Sequence, residues 1–250
     1  SPCAAGPEWL PTFTATGGVS IINTGIVTSN SAKVFNSSVP LTVANDSGGG
    51  LDNGGFAISG GSVFTLANDA NLYLSGTSTF PSSFTTNTIG ATSTVEYNGT
   101  AQTVAVQNYG NLNLSNSGNK TFAGATLIAD ELALSGTAVA ILPTGSTSFS
   151  QTLTFSGVLQ ASTSWGGTAA TTATNNSAVW FGITTTGILN VSLACTIGTW
   201  LGQSSTDWNN PNNWCSLTIP SASTNVVIPA TAPNMPVIGT ANGDCRNITI

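Results

Sequence analysis

The chain has 250 residues, a formal net charge of −6, no histidine and 5% charged residues, while Thr, Ser, Asn and Gly fill 122 positions (39, 30, 25 and 28). Its three basic residues, Lys33, Lys120 and Arg246, are too few to neutralise a phosphate backbone; this excludes nucleic-acid binding by counterion release, and the lack of histidine excludes Ser-His-Asp or Cys-His catalysis and histidine-ligated metals. With 40% hydrophobic residues and a mean hydropathy of +0.21, the chain reads as folded, with a surface of hydroxyls and amides, and no run reaches the roughly 18 apolar residues of a membrane-crossing helix.

In chain order, residues 1–16 are a lead-in segment. The start at Ser1-Pro2-Cys3 without Met, and the strand-like end at Asn247-Ile248-Thr249-Ile250, lead us to expect a processed or excised piece of a longer chain. Residues 17–195 repeat one phrase, apolar-x-apolar followed by Ser or Asn and usually Gly. It occurs at Phe56-Ala57-Ile58-Ser59-Gly60, Leu72-Tyr73-Leu74-Ser75-Gly76, Val95-Glu96-Tyr97-Asn98-Gly99 and Leu112-Asn113-Leu114-Ser115-Asn116, then at Leu132-Ala133-Leu134-Ser135-Gly136, Leu153-Thr154-Phe155-Ser156-Gly157 and Leu189-Asn190-Val191-Ser192. The first residues step by 16, 23, 17, 20, 21 and 36, the last being close to two units of 18. Alternation puts both apolar residues of a phrase on one face, and the Ser/Asn-Gly that follows supplies a corner where positive φ is tolerated.

Periods near 20 residues predict a solenoid. Ser62–Leu66, Thr103–Val106 and Thr126–Ile128 would form other sides of its coils, and no window carries a 3.6-residue apolar stripe. The expected fold is all-β: a right-handed parallel β-helix of about nine coils, about 40 Å long, followed by the start of a second β unit. Tandem β-sandwiches are the alternative.

The texture changes in 196–250, where Trp200, Trp208 and Trp214 fall within one loop-rich stretch. Trp200, Trp208 and Trp214 either form a sugar-stacking platform or cover the open end of a solenoid core; Trp9, Trp165 and Trp180 read as packing residues. Asp207-Trp208-Asn209-Asn210-Pro211-Asn212-Asn213 gathers oxygen ligands that would suit Ca²⁺, against the alternative of a turn held by Asn side chains. Asp46 with Asp52 is a weaker candidate, and no other cofactor is expected. Among the cysteines, Cys215 and Cys245 lie 30 residues apart in the same unit and are the expected disulfide, while Cys3 and Cys195 are left open. The only adjacent acids, Asp130 and Glu131, should point to opposite faces of a strand, and the coil neighbours of Glu131 should be Asn111 and Thr152. A β-helix polysaccharidase with paired carboxylates is therefore a third-ranked reading, together with an ice-binding face built from Thr-x-Thr pairs. Few lysines, four cysteines and Asn-x-Ser/Thr sequons at Asn36, Asn98, Asn119 and Asn190 suit an extracellular, oxidising setting.

The stretches Trp200-Leu201-Gly202, Ser205-Thr206-Asp207-Trp208, Asn213-Trp214-Cys215, Val226-Val227-Ile228-Pro229, Pro236-Val237-Ile238 and Cys245-Arg246-Asn247-Ile248-Thr249-Ile250 resemble modules of giant Bacteroidetes cell-surface proteins. Val95-Glu96-Tyr97-Asn98-Gly99-Thr100, Tyr109-Gly110-Asn111-Leu112 and Gly118-Asn119-Lys120-Thr121 are similar to repeats in the same proteins, the SprB-like gliding-motility adhesins exported by the type IX secretion system. The resemblance covers about residues 90–140 and 197–250. It implies a repetitive surface adhesin with no catalytic residues to carry over, in contact with secretion and motility machinery.

The function expected is thus a non-enzymatic, extracellular structural or adhesive segment, a stiff stalk in surface adhesion or gliding motility. Its partners would be neighbouring modules of the same long chain and a surface polysaccharide or substratum, with no nucleic acid and no membrane insertion. A glycan-binding module using the Trp-rich loop is the alternative.

Overall fold

The structure, a computed structural model, describes residues 12–14, 17–22, 25–44, 49–192, 197–202, 205–215, 218–230, 232, 234–239 and 242–250. Among them there is no α-helix, and the sheets form a parallel β-solenoid of about 10 turns. The chain divides into two compact units, Ser1–Val191 and Ser192–Ile250.

In the first unit each coil has three sides. The first ladder stacks Ile26–Thr28, Gly50–Asp52, Asn71–Leu74, Thr94–Tyr97 and Asn111–Leu114, then the later parts of Leu127–Leu134 and Thr147–Phe155. All of these pairings are parallel, and they align Leu51, Leu72, Val95, Leu112, Leu132 and Leu153 in one column. Every member of that column is fully buried. This is the side that the repeated phrase encodes, because apolar-x-apolar sends two side chains inward and one outward. A second side carries Lys33–Phe35 and Ile58–Gly60, then Gln102–Val104, Ser117–Phe122 and Thr137–Ile141. The third side is Val19–Ile22, Leu41–Ala44, Val63–Leu66 and Thr86–Ile89.

Corners follow the Ser/Asn-Gly step. Gly76 and Gly136 have φ of 64° and 65°, and a Cβ on Gly136 would lie 2.3 Å from the Asn116 carbonyl oxygen of the previous coil. Inside, the rings of Phe35, Phe84, Phe64, Phe80 and Tyr109 form a chain of contacts with centroids 5.4–6.3 Å apart.

Two of the seven phrases sit elsewhere than their wording suggests. Ile58 pairs with Lys33 on the second side and Phe56 is exposed, while Leu51 holds the column position in that coil. Leu189 stacks on Ser148 rather than on Leu153. The interval of 36 residues before it is not two coils: Val158–Leu159 turns back antiparallel on Phe155, and Ser164–Gly166 runs antiparallel to Ile188–Val191. There Trp165, Trp180 and Phe181 gather around Phe155, with Trp180 stacked on it at 5.1 Å. The local phrase specifies burial of two side chains, which any side of a coil satisfies; the loops between phrases decide which side.

In the second unit Thr199 bridges Val227, Asn225–Val227 pairs with Asn247–Thr249 and Asp207 bridges Val237, all parallel, while Trp200 and Trp214 bridge antiparallel. The expected entry of a new β unit after residue 195 is therefore itself built of short parallel rungs. Its core is Trp200, Trp208, Trp214, Val226 and Ile228.

Candidate functional site

The outer face of the first ladder carries three of the seven described acidic side chains, Asp52, Glu96 and Glu131. Register places Asp52, Tyr73, Glu96, Asn113, Ala133 and Thr154 in one outward column. Each acid accepts a hydroxyl from the next coil: Ser75 Oγ donates to Asp52 at 3.0 Å, Ser115 Oγ to Glu96 at 2.6 Å and Thr154 Oγ1 to Glu131 at 2.6 Å. Tyr73 separates Asp52 from Glu96, so these two are two strand spacings, about 10 Å, apart along the backbone. Partial burial and the charges of Glu96 and Asp52 push the Tyr73 phenol up.

Glu131 lies beside Thr152 and its amide donates to Asn111 Oδ1, the two neighbours foreseen for it. The ladder register shifts between Ile128 and Glu131, and both acids remain solvent-accessible, Asp130 exposed and Glu131 half-buried. Asn side chains tie coils together in the same way: Asn71 Nδ2 donates to the Gly49 carbonyl and Asn116 Nδ2 to that of Asn98.

Both lysines are fully buried, which the sequence did not signal. Lys120 points into the coil from the second side, where its Nζ donates to the carbonyls of Gly99 and Thr100 at 2.6 and 2.9 Å and to Gln102 Oε1 at 2.8 Å. Gln102, its partner one coil earlier, donates onward to the carbonyls of Leu74 and Ser78. The pair thus satisfies carbonyls at successive corners. Burial lowers the Lys120 amine to about 8, with Glu96 acting weakly in the opposite sense; burial also lowers Lys33. Tyr97 and Tyr109 face each other in the core with hydroxyls 3.1 Å apart, and the Tyr109 hydroxyl donates to the Ala105 carbonyl. Burial raises Tyr97 to about 12 and Tyr109 well above its ordinary value.

The three tryptophans of the Trp-rich loop present no open aromatic face. Trp200, Trp208 and Trp214 are all at most 1% exposed, and they stack edge to face, Trp214 lying 4.9 Å from Trp200 and 4.7 Å from Trp208. A sugar ring needs an open aromatic face, and here the indoles are each other's partners. These residues are the core of their unit, which corrects the ligand-binding assignment of Trp200, Trp208 and Trp214. Trp200 Nε1 donates to the Asn234 carbonyl and Trp214 Nε1 to that of Trp208, whereas Trp208 Nε1 is buried without a hydrogen bond.

The Asp207–Asn213 loop engages its oxygens in its own turn. Asp207 Oδ1 accepts the Asn209 amide, Asn213 Oδ1 accepts the Ser205 amide, and Asn213 Nδ2 donates to the Asp207 carbonyl and to Ser205 Oγ. Asn213 is fully buried. Among the described residues no three His, Cys, Asp or Glu side chains gather as a metal site. Asp52 caps its own turn by accepting the Gly54 amide, and Asp46 lies outside the described residues.

The expected Cys215–Cys245 disulfide is not formed. Cys245 is a half-buried free thiol, whereas Cys215 is disulfide-bonded; Cys3 and Cys195 lie outside the described residues. The ladder gives the reason. The Cys215 amide bonds to Thr199, which bridges Val227, which in turn pairs with Thr249. Three strand spacings, roughly 14 Å, thus separate Cys215 from the strand that Cys245 precedes, beyond the Cα separation of about 7 Å that a disulfide spans.

Comparisons with protein-family models, with curated proteins and with solved structures find no match for this chain.

Proposed function

We propose that this chain is a non-enzymatic, extracellular structural and adhesive segment of a large bacterial cell-surface protein of the SprB-like, type IX-secreted kind. It acts as a stiff repetitive stalk between cell and surface. The observation that carries this reading is the first ladder: seven strands in parallel register over one apolar column, with coils cross-tied on the outside by Ser, Thr and Asn hydrogen bonds. Such a ladder resists extension because every coil is held to the next by backbone bonds, core contact and side-chain ties together. The non-enzymatic part rests on the acids. Each of Asp52, Glu96 and Glu131 accepts a hydroxyl of its own fold, and Asp52 and Glu96 have an aromatic residue between them. Its partners are the neighbouring modules of the same long chain, and the surface it serves is a polysaccharide or substratum.

Pulling the 250-residue chain between handles in single-molecule force spectroscopy tests the reading. The expected record is a series of ruptures, each releasing about one coil, on the order of 70 Å for ~20 residues. A smooth, low-force extension without ruptures would sink the stalk.

A further inference from the structure

The third side of the first unit differs from the other two. Its register aligns Ser20 with Thr42, Thr42 with Thr65 and Thr65 with Thr88, in strands that alternate buried and solvent-facing side chains. The four hydroxyl residues therefore form one outward column over three strand spacings, about 14 Å. Pro40 and Val63 flank it on one side and Ala44 and Ala67 on the other, all partly exposed. Of the four, only Thr88 belongs to a Thr-x-Thr pair, Thr86-Asn87-Thr88. The column arises instead from hydroxyls 22, 23 and 23 residues apart, one per coil.

Two further features separate this face from ordinary polar strand surface. Its hydroxyls make no hydrogen bond within the described protein, whereas those of Ser75, Ser115 and Thr154 on the first ladder are engaged with carboxylates. The outward neighbours of Thr42 and Thr65 along their own strands, Pro40, Ala44, Val63 and Ala67, also include no charged, amide or aromatic side chain. Charge would hold water in a local, disordered shell, and a flat polysaccharide is gripped by aromatic faces or amides. A rigid column of donor-acceptor hydroxyls at about 4.8 Å, between methyl-bearing side chains that favour caged water, complements a lattice of water. That repeat is close to the oxygen repeat along the basal axes of ice.

We propose that the face built on Ser20, Thr42, Thr65 and Thr88 binds the surface of ice. The ligand is ordered water: the hydroxyls exchange hydrogen bonds with lattice oxygens, and the methyls of Thr42, Thr65, Ala44 and Ala67 sit in the gaps between them. The fold supplies the rigidity that fixes the spacing before contact, so little ordering entropy is lost on binding. This inference does not rest on the stalk reading, and either stands without the other.

The test is ice-recrystallisation inhibition and crystal shaping by the 250-residue chain. The unmodified chain is expected to inhibit growth, a Thr42→Tyr/Thr65→Tyr double variant to lose the effect through its bulk, and Thr103→Tyr/Thr121→Tyr on the second side to keep it. Melting curves check that each variant is folded. Should the tyrosine variant not fold, Thr42→Val/Thr65→Val keeps shape and strand preference while removing the hydroxyls, and is expected to lose inhibition as well. No inhibition by the unmodified chain overturns the proposal, as does equal inhibition by folded variants of both sides. Pelleting with crystalline chitin or cellulose, lost in Thr42→Tyr/Thr65→Tyr while ice growth is unaffected by any form, would assign the face to a polysaccharide instead and overturn it too.

Discussion

Lys120 and the Tyr97–Tyr109 pair make stability depend on pH above neutrality, in opposite directions. The Lys120 amine titrates near 8 in the fold and at 10.5 when exposed. Between those values the unfolded chain binds more protons than the folded one, so stability rises with pH; below about 8 both forms are charged and the burial penalty is present in full. Lys33, lowered by burial, acts in the same sense. Tyr97 titrates at about 12 in the fold against 10.0 when exposed. Above pH 10 the unfolded chain therefore loses the phenolic proton first and stability falls. The melting temperature is expected to climb from pH 8, peak near pH 10 and decline beyond; Lys120→Met should flatten the climb, and a monotonic fall from pH 8 would refute the assignment. Removing Lys120 also orphans the Gly99 and Thr100 carbonyls, at a cost of about 1–3 kcal/mol for each buried unsatisfied group. The tryptophans permit a paired comparison. Trp214→Phe removes a hydrogen bond to the Trp208 carbonyl, while Trp208→Phe removes a donor that bonds to nothing. In urea titrations Trp214→Phe should be the more damaging by about 1 kcal/mol or more.

At the scale of the strand and its corner, the ladder sets the penalties. Leu112 is sandwiched between Val95 and Leu132 in the inward column and is fully buried. Leu112→Ala is expected to cost about 2–5 kcal/mol, against less than ~0.5 kcal/mol for Val158→Ser at the exposed hairpin; similar values from chemical denaturation would contradict the register. Gly136→Ala combines a positive φ of 65° with a Cβ 2.3 Å from the Asn116 carbonyl oxygen, so it should destabilise by at least about 1 kcal/mol. The expectation is read as a drop in urea midpoint with an unchanged slope.

For the whole molecule, the scarcity of charge sets the solution behaviour. The two lysines are buried, the acids of the first ladder accept hydroxyls, and the Asp207–Asn213 turn closes on itself. Stability therefore rests on stacked backbone and apolar columns, and surface ion pairs have little to contribute. A chelator such as EDTA is expected to leave the melting temperature unchanged, and raising NaCl from low to about 1 M should move it little, since there is little exposed charge to screen. A clear fall on chelation would point to a bound cation in the Asp207 turn or near Asp52.

The sequence by itself determined the solenoid and much of its register. Five repeated phrases, those led by Leu72, Val95, Leu112, Leu132 and Leu153, fall on one ladder in the order and spacing in which they are written. Alternation and a Gly corner are local physics, so they are legible residue by residue. The coil neighbours of Glu131 followed from the same counting. What only the tertiary structure decided was whatever depends on variable loop length and on neighbours distant in sequence. That includes the displacement of the Phe56 and Leu189 phrases to other sides and the burial of Lys33 and Lys120, since a lysine can enter a core when corner carbonyls happen to converge on it. It also includes the closing of three tryptophans on one another and the separation of Cys215 from Cys245. The hydroxyl column of Ser20, Thr42, Thr65 and Thr88 belongs here as well: each member is an unremarkable strand residue in the sequence, and only stacking of coils makes four of them a surface.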